Sequence, residues 1–311
     1  MAKQSIIPVK NRGRLAELWN SSKYALLFLA PWMIGLLVFS IYPILHSLYL
    51  SFTDFNLFQA PNLIGGENYK SLLSDPRFIQ SCKVTSIYVF VGVPLQLAFA
   101  LLLALALNKG IHGLKYFRAI YYLPALLGGS VAISVLWRQV FGMQGIINQF
   151  LGFLGLPDTV TSISWISNPK YALITLIILR VWQFGSPMII FIAGLKQIPA
   201  ELYESGSIDG ASTFRKFIHI TLPMLSPIIL FNLIMQIISA FQAFTPAYII
   251  GGVSGGALDS LLFYTLYLYT IGFNYFKMGY ASAMAWILML AISVLTLLIF
   301  RFSKNTVHYE S

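Results

Sequence analysis

The sequence predicts an all-α membrane protein with six transmembrane helices and a polar insert between the fourth and the fifth. Three observations predict it. Of the 311 residues, 58% are hydrophobic and 10% charged, against about 25% charged in soluble globular domains. The mean hydropathy is +0.76. Six apolar segments, near 24–48, 84–107, 119–141, 171–194, 224–250 and 278–300, each reach the length of about 20 residues that a helix needs to cross a hydrocarbon core of about 30 Å. A transmembrane β-barrel would show many segments of about 10 residues with alternating polarity, and these continuous runs exclude it.

The first span follows Lys3, Lys10, Arg12, Arg14 and Lys23, as the core of a secretory signal would. Its apolar part is too long for one and no small-residue cleavage site follows, so it is expected to stay attached. The connection from about 51 to 80 is the longest. Its turn formers Asn56, Pro61, Asn62, Gly65, Gly66, Asp75 and Pro76 predict ordered turns. Two further connections on that side run from about 142 to 168 and from 251 to 276, and Gly251, Gly252, Gly255 and Gly256 predict a locally mobile backbone in the second. Pro31, Pro43, Pro94, Pro124, Pro187, Pro227 and Pro246 lie within the spans and are candidates for kinks.

Orientation follows from the distribution of Lys and Arg, whose excess marks the cytoplasmic side. In a six-span arrangement the five basic residues before the first span share one side with Lys109, Lys115, Arg118, Lys196, Arg215, Lys216, Arg301 and Lys304. The opposite loops carry fewer cations and hold Asp54, Glu67, Asp75, Asp158 and Asp259. Both termini are therefore expected in the cytoplasm. The chain divides into an N-terminal tail 1–23, a transmembrane domain 24–301 that includes the insert 195–223, and a C-terminal tail 302–311. The net charge of +10 is accounted for by orientation and attraction to anionic membrane lipid, without nucleic acid. The lone Cys82 forms no intrachain disulfide.

The insert, IPAELYESGSIDGASTFRKFIHITLP, reads as two short helices. Pro199 suits a first helical turn, Glu201 and Glu204 lie near its positive N-terminal end, and Gly210 stands where a helix stops, so one helix is expected over about 199–209. Ser212 or Thr213 can cap a second, with Phe214, Phe217 and Ile218 on one face and Arg215, Lys216 and His219 elsewhere. Pro223 then opens the fifth span. The small residues Ser205, Gly206, Ser207, Gly210 and Ala211 would let another protein approach the backbone closely. On these grounds alone a docking surface and an amphipathic segment lying on lipid headgroups are both open.

Polar side chains inside spans are costly and mark a pathway or an interhelical contact. Asn232, Gln236 and Ser239 recur at i, i+4 and i+7 on one face of the fifth span. With the aromatic residues Phe241 and Tyr248 they are candidates to line a solute path, since amides and rings suit the hydroxyls and C–H faces of a sugar. Arg180 in the fourth span is expected to snorkel or to stack on a tryptophan. Trp137, Arg138 and Gln139 read as an interfacial anchor.

The spacing Glu204-Ser205-Gly206, Gly210, Ile220-x-Leu222-Pro223 resembles the EAA loop of permease subunits of bacterial ATP-binding-cassette importers: E-A-A, three residues, G, nine residues, I-x-L-P. Ser205 and Gly206 stand where that family often has two alanines, and both remain small. Residues 68–78, 118–124, 208–223 and 279–286 are similar to carbohydrate permeases of this family. So is TPAYIIGG at 245–252 followed by the run from Tyr264 to Tyr269, which is similar to the first of the two permeases such importers encode. The loop after it departs, reading GGVSGG where relatives read G-G-P. The resemblance implies import of a sugar or oligosaccharide across a bacterial or archaeal cytoplasmic membrane. It further implies a second permease subunit, an extracytoplasmic solute-binding protein, and a cytoplasmic ATPase dimer. That dimer would grip Glu204, Ser205, Gly206, Asp209, Gly210, Ala211, Ile220, Leu222 and Pro223. ATP and Mg would be bound by the ATPase, and this chain would carry no cofactor.

The residues agree with a transport subunit that is not itself an enzyme. No G-x-x-x-x-G-K-[ST] phosphate loop occurs. The alternative, an ion-gradient-driven secondary transporter, calls for intramembrane carboxylates, and none of the 10 acidic residues falls in a predicted span. A membrane-embedded enzyme would need a catalytic or metal-binding grouping. His46, His112, His219 and His308 are scattered and Cys82 has no evident base.

Overall fold

The structure, a computed structural model, describes residues 27–108 and 114–303. The tail residues Lys3, Lys10, Arg12, Arg14, Lys23, Lys304 and His308, together with Lys109, His112 and the Lys115 side chain, lie outside the described residues. Among the described residues five helices are long and apolar enough to cross a membrane: Leu27–Ser51, Pro76–Leu107, Ala172–Leu195, Thr213–Gly251 and Met278–Ser303. The pair Tyr116–Leu127 and Val131–Val140, bent by 96°, is apolar enough for a sixth when the two are counted as one span. The third span expected over 119–141, with Pro124 as its kink candidate, is two helices that meet at Gly128-Gly129-Ser130, where Ser130 caps the second by accepting from the Ile133 N–H.

The second span is the hub. Val89, Val93, Leu97, Ala100 and Ala104 are buried at helical spacing. They form one core with Leu176, Leu179, Met188 and Phe191 of the fourth span and Leu225, Ile237 and Ala240 of the fifth. The first span packs on the sixth instead, with Trp286 Nε1 donating to Ser47 Oγ at 3.1 Å. The third span crosses the fourth closely, because a Cβ on Gly185 would stand 2.6 Å from the Tyr121 carbonyl oxygen. Large apolar side chains such as Phe28, Phe39 and Leu102 point outward, at 84%, 80% and 65% exposure, as a surface that meets lipid or another span requires.

Three spans are interrupted, and in each a polar side chain from elsewhere takes up a carbonyl at the interruption. Gln183 Nε2 donates to Gly128 O at 3.0 Å at the bend of the third span. Gln96 Nε2 donates to Gln183 O at 3.0 Å, where the fourth span breaks between Ala172–Trp182 and Gly185–Leu195. Thr265 Oγ1 donates to Ala243 O at 2.5 Å, where the fifth breaks between Phe241 and Thr245. Prolines shape other places. The π-helical turns Leu37–Ile41 and Phe217–Thr221 each end two residues before a proline, Pro43 and Pro223. A proline clashes with the carbonyl four residues back, and the wider turn accommodates it. Pro94 lies inside the uninterrupted helix Pro76–Leu107.

At the end opposite the insert the connections are ordered. Thr53 pairs with Leu63, and Asn62 bonds both carboxylate oxygens of Asp54. The glycine-rich turn expected to be mobile is instead closely packed and hydrogen-bonded. Gly252, Gly255 and Gly256 adopt positive φ, Gly256 N–H donates to Gly251 O at 2.7 Å, and a Cβ on Gly255 would stand 2.7 Å from Leu262 Cβ. Arg77 holds this turn to the second span, pairing with Asp259 at 2.8 Å and donating to Ser254 O at 3.0 Å. In the same corner Asp75 caps the second span through the Arg77 and Phe78 N–H groups and accepts from Tyr267 and Tyr280 at 2.5 and 2.9 Å.

Burial pushes the Asp75 carboxyl up, but the hydrogen bonds from Tyr267, Tyr280, Phe78 and Arg77 outweigh it and hold the group below its ordinary value. A depressed carboxylate contributes stability above its unfolded pKa and loses it as pH falls through the folded one. The protein in detergent should therefore lose thermal stability as pH falls below about 4, and Asp75→Asn, less stable at pH 7, should lose less over that interval. An equal pH dependence in the two proteins would show that Asp75 does not carry this contribution.

Candidate functional site

Two regions hold the candidate residues. The first is the insert, where the structure forms a two-helix hook. Pro199 takes the capping position rather than the first turn, and the first helix spans Ala200–Ile208. It ends in a Schellman motif. Gly210 has φ +71°, Ala211 N–H donates to Gly206 O at 2.8 Å, and Gly210 N–H to Ser207 O at 3.1 Å. Ser212 caps the second helix by accepting from Arg215 N–H. That helix does not stop at Pro223. It runs from Thr213 through the π turn into Leu222–Phe241, so the hook and the fifth span share one rod.

The two hook helices are tied together. Tyr203 Oη and Thr221 Oγ1 lie 2.9 Å apart, and Lys216 Nζ donates to Ser207 Oγ at 2.7 Å. A Cβ on Gly206 would stand 3.3 Å from Ile220 Cδ1, so the small side at Gly206 receives the chain's own second helix rather than another protein. Glu204, Ser205, Asp209 and Gly210 face outward, Ala211, Leu222 and Pro223 are half-buried, and the apolar Ile208 and Phe214 are 87% and 71% exposed at the tip. The Arg77–Asp259 pair is the one salt bridge among the described residues, so the Glu201 and Glu204 carboxylates pair with no cation among them.

The second region is a polar layer across the second, fourth and fifth spans. Asn232, Gln236 and Ser239 lie on one helix but in different surroundings. Asn232 is fully buried with both amide atoms unpartnered, Gln236 is half-buried, and Ser239 is exposed. Arg180 is 5% exposed. Its Nη2 donates to Gln236 O at 2.7 Å and Gln236 Oε1 at 3.2 Å, and its guanidinium lies 5.5 Å from the Tyr88 ring centre. The expected snorkelling or tryptophan stacking is not what occurs. Gly92 leaves room for the side chain, with a Cβ there 3.2 Å from Arg180 Cδ, and the charge turns inward onto a carbonyl, an amide and a tyrosine face. Trp137 is tied to the fourth span, its Nε1 donating to Thr175 O at 3.0 Å and its ring meeting Trp182 at 5.8 Å, while Arg138 and Gln139 are exposed.

Phe241 meets the Phe90 ring edge-on at 6.5 Å. Tyr248 stands beyond the break in the fifth span, in an aromatic group with Phe244 and Tyr269 at 5.3 and 5.8 Å, so it does not share the face of Asn232. Gln96 and Tyr88 escaped the sequence reading. The signal for Gln96 was present, an amide within a long apolar run, whereas Tyr88 among aromatic residues carried none. Among the described residues no group of His, Cys, Asp or Glu is placed to hold a metal.

The sequence profile of the binding-protein-dependent transport system inner membrane component matches residues 74–308. The chain belongs to this family. Membership makes it a membrane transport subunit rather than an enzyme, with its helices passing several times through the membrane. It is 51% identical to the probable ABC transporter permease YesP of Bacillus subtilis over 94% of this chain and 93% of the relative. It is 34% identical to the lactose transport system permease LacF of Rhizobium radiobacter, over 88% and 92% of the two chains. The arabinooligosaccharide permease AraP of Bacillus subtilis is 33% identical, over 93% and 91%. The fold matches a chain of a bacterial alginate ABC transporter crystallised with an alginate-bound periplasmic protein. The TM-score is 0.80, covering 94% of this chain and 98% of that one at 21% identity.

The hook geometry is testable. Gly206→Ala should be tolerated, the tight fit being offset by about 1 kcal/mol of helix propensity, whereas Gly206→Val should force the helices apart. A Ser207→Cys/Lys216→Cys pair should be bridged readily by a short bis-thiol reagent that spans the lost lysine stem when position 206 keeps its glycine or carries alanine, and several-fold more slowly when it carries valine. Equal rates in all three backgrounds would refute the packing.

Proposed function

We propose that this chain is one of two permease subunits of an ATP-driven importer. It carries a sugar or oligosaccharide handed over by an extracytoplasmic binding protein, and its hook is gripped by a cytoplasmic ATPase dimer that binds ATP and Mg. Family membership and relatives named for lactose and arabinooligosaccharides support the substrate class. The distribution of Lys and Arg supports a cytoplasmic hook and cytoplasmic termini once the bent third pair counts as one crossing. The observation that carries the docking role is the hook tip. Thr213–Thr221 lifts it about 13 Å beyond the start of Leu222–Phe241, and there Ile208 and Phe214 are exposed beside Glu204, which forms no salt bridge among the described residues. Apolar side chains ringed by charge and held away from the bilayer suit a protein cleft.

The fifth span is the transmitter in this reading. A push on the hook is delivered along a continuous helix to Gln236 and Ser239, which line the path together with Phe241. In proteoliposomes that contain the partner permease, the ATPase and the binding protein, ATP-driven oligosaccharide uptake should fall at least about tenfold with Glu204→Lys, as expected for reversing an interfacial charge. The variant should keep its thermal stability, because Glu204 is exposed. Undiminished uptake with the variant would remove the hook from the coupling route.

A further inference from the structure

Arg180 is a cation sealed into a membrane protein without an anion. It sits about 12 Å along the helix from Ala172, is 5% exposed, and no carboxylate among the described residues forms a salt bridge with it. Its balance comes from dipoles alone: the Gln236 carbonyl and side-chain oxygen, the Tyr88 ring, and the C-terminal end of Ala172–Trp182. Its Nε has no hydrogen-bond partner among the described residues. A role confined to stapling the fourth span to the fifth does not call for a charge, since a neutral amide would make the same two bonds without the cost of burying an uncompensated cation. Intramembrane ionisable residues mark substrate or ion pathways and relays, and a cation without a paired carboxylate suits an arriving anion.

Two donors remain for that anion. Arg180 Nη1 makes no hydrogen bond among the described residues and is not among the fully buried unpartnered atoms. The same holds for Gln236 Nε2, whose side-chain oxygen is already held by Arg180. They belong to touching side chains, and Gln236 is half-buried one turn from exposed Ser239, on the face assigned above to the solute path. Two N–H groups on touching side chains, one of them charged, suit the two oxygens of a carboxylate. We propose that Arg180 and Gln236 form an anion-selective subsite in the solute path that takes the oxyanion of an acidic sugar, a uronate carboxylate in preference to a phosphate ester. This deepens the importer reading and rests on it.

The test uses the membrane complex of both permeases with the ATPase, without the binding protein, whose own selectivity would otherwise enter. Equilibrium binding is measured for digalacturonate, its neutral counterpart galactobiose, and glucose 6-phosphate. Digalacturonate should bind about tenfold more tightly than galactobiose, with the preference weakening as salt rises. Arg180→Gln should abolish that preference, while Arg180→Lys should retain part of it. Should Arg180→Gln fail to assemble, Gln236→Glu decides the question by placing a carboxylate against the guanidinium, and it should raise the unfolding temperature while removing the preference for the acid. The proposal is overturned by equal or absent binding of the acidic and neutral sugars, by a stronger preference for glucose 6-phosphate, or by an acid preference that survives Arg180→Gln or Gln236→Glu. Any of these outcomes leaves ATP-driven uptake of a neutral oligosaccharide intact. Loss of all ATP-driven uptake by the unmodified importer would instead sink the importer reading.

Discussion

The constraint on which this architecture depends is that hydrocarbon supplies no hydrogen bonds, so every backbone carbonyl released by an interrupted helix has to be met by the protein itself. Gly128 O, Gln183 O and Ala243 O are met by Gln183, Gln96 and Thr265. Two of these contacts link into a chain, since Gln183 donates from its side chain while its own carbonyl accepts from Gln96. The second, third and fourth spans are thereby joined at one level. The polar layer is thus first a solution to a backbone problem, and the irregular helices it permits give the bundle a shape that six straight rods would not have.

At the two ends of the bundle different means produce rigidity. The hook is held by a Schellman turn, by a serine cap and the Lys216–Ser207 bond, both exposed and each worth little alone, and by the part-buried Tyr203–Thr221 contact. The opposite end is held by Asp75 and Arg77, which bring the start of the second span, the glycine turn and the last two helices to one corner. Between them the second span forms the common wall. Membership of a transport family and this division into well-bonded ends and an interrupted middle describe one molecule, because a transporter has to move.

Much of this was legible in the sequence. Hydropathy and length located the spans, and the hook followed from Gly210, Ser212 and Pro223, whose roles are local and depend on a few neighbouring residues. What escaped is long-range. The 96° bend was expected at no particular residue, and Pro124 drew attention although the chain turns at Gly128-Gly129-Ser130. The fate of Arg180 depended on Gly92 and Tyr88, some ninety positions earlier in the chain, and on Gln236, so no reading of the fourth span by itself could place its charge. The glycine turn misled for a similar reason, since glycine supplies both slack and close packing, and Leu262 and Arg77 decide between them.

The π turn at Phe217–Thr221 has a geometric consequence. A turn of this kind accommodates one residue more than an α-helical turn, and each residue advances a helix by about 100°. The azimuth of the hook about the rod is therefore offset from that of the membrane-embedded face by this surplus. Loss or gain of one residue here would swing Ile208 and Phe214 round the axis while Gln236 and Ser239 stayed where they are. In the proposed reading, such a change would re-aim the docking tip and leave the solute-facing side chains in place.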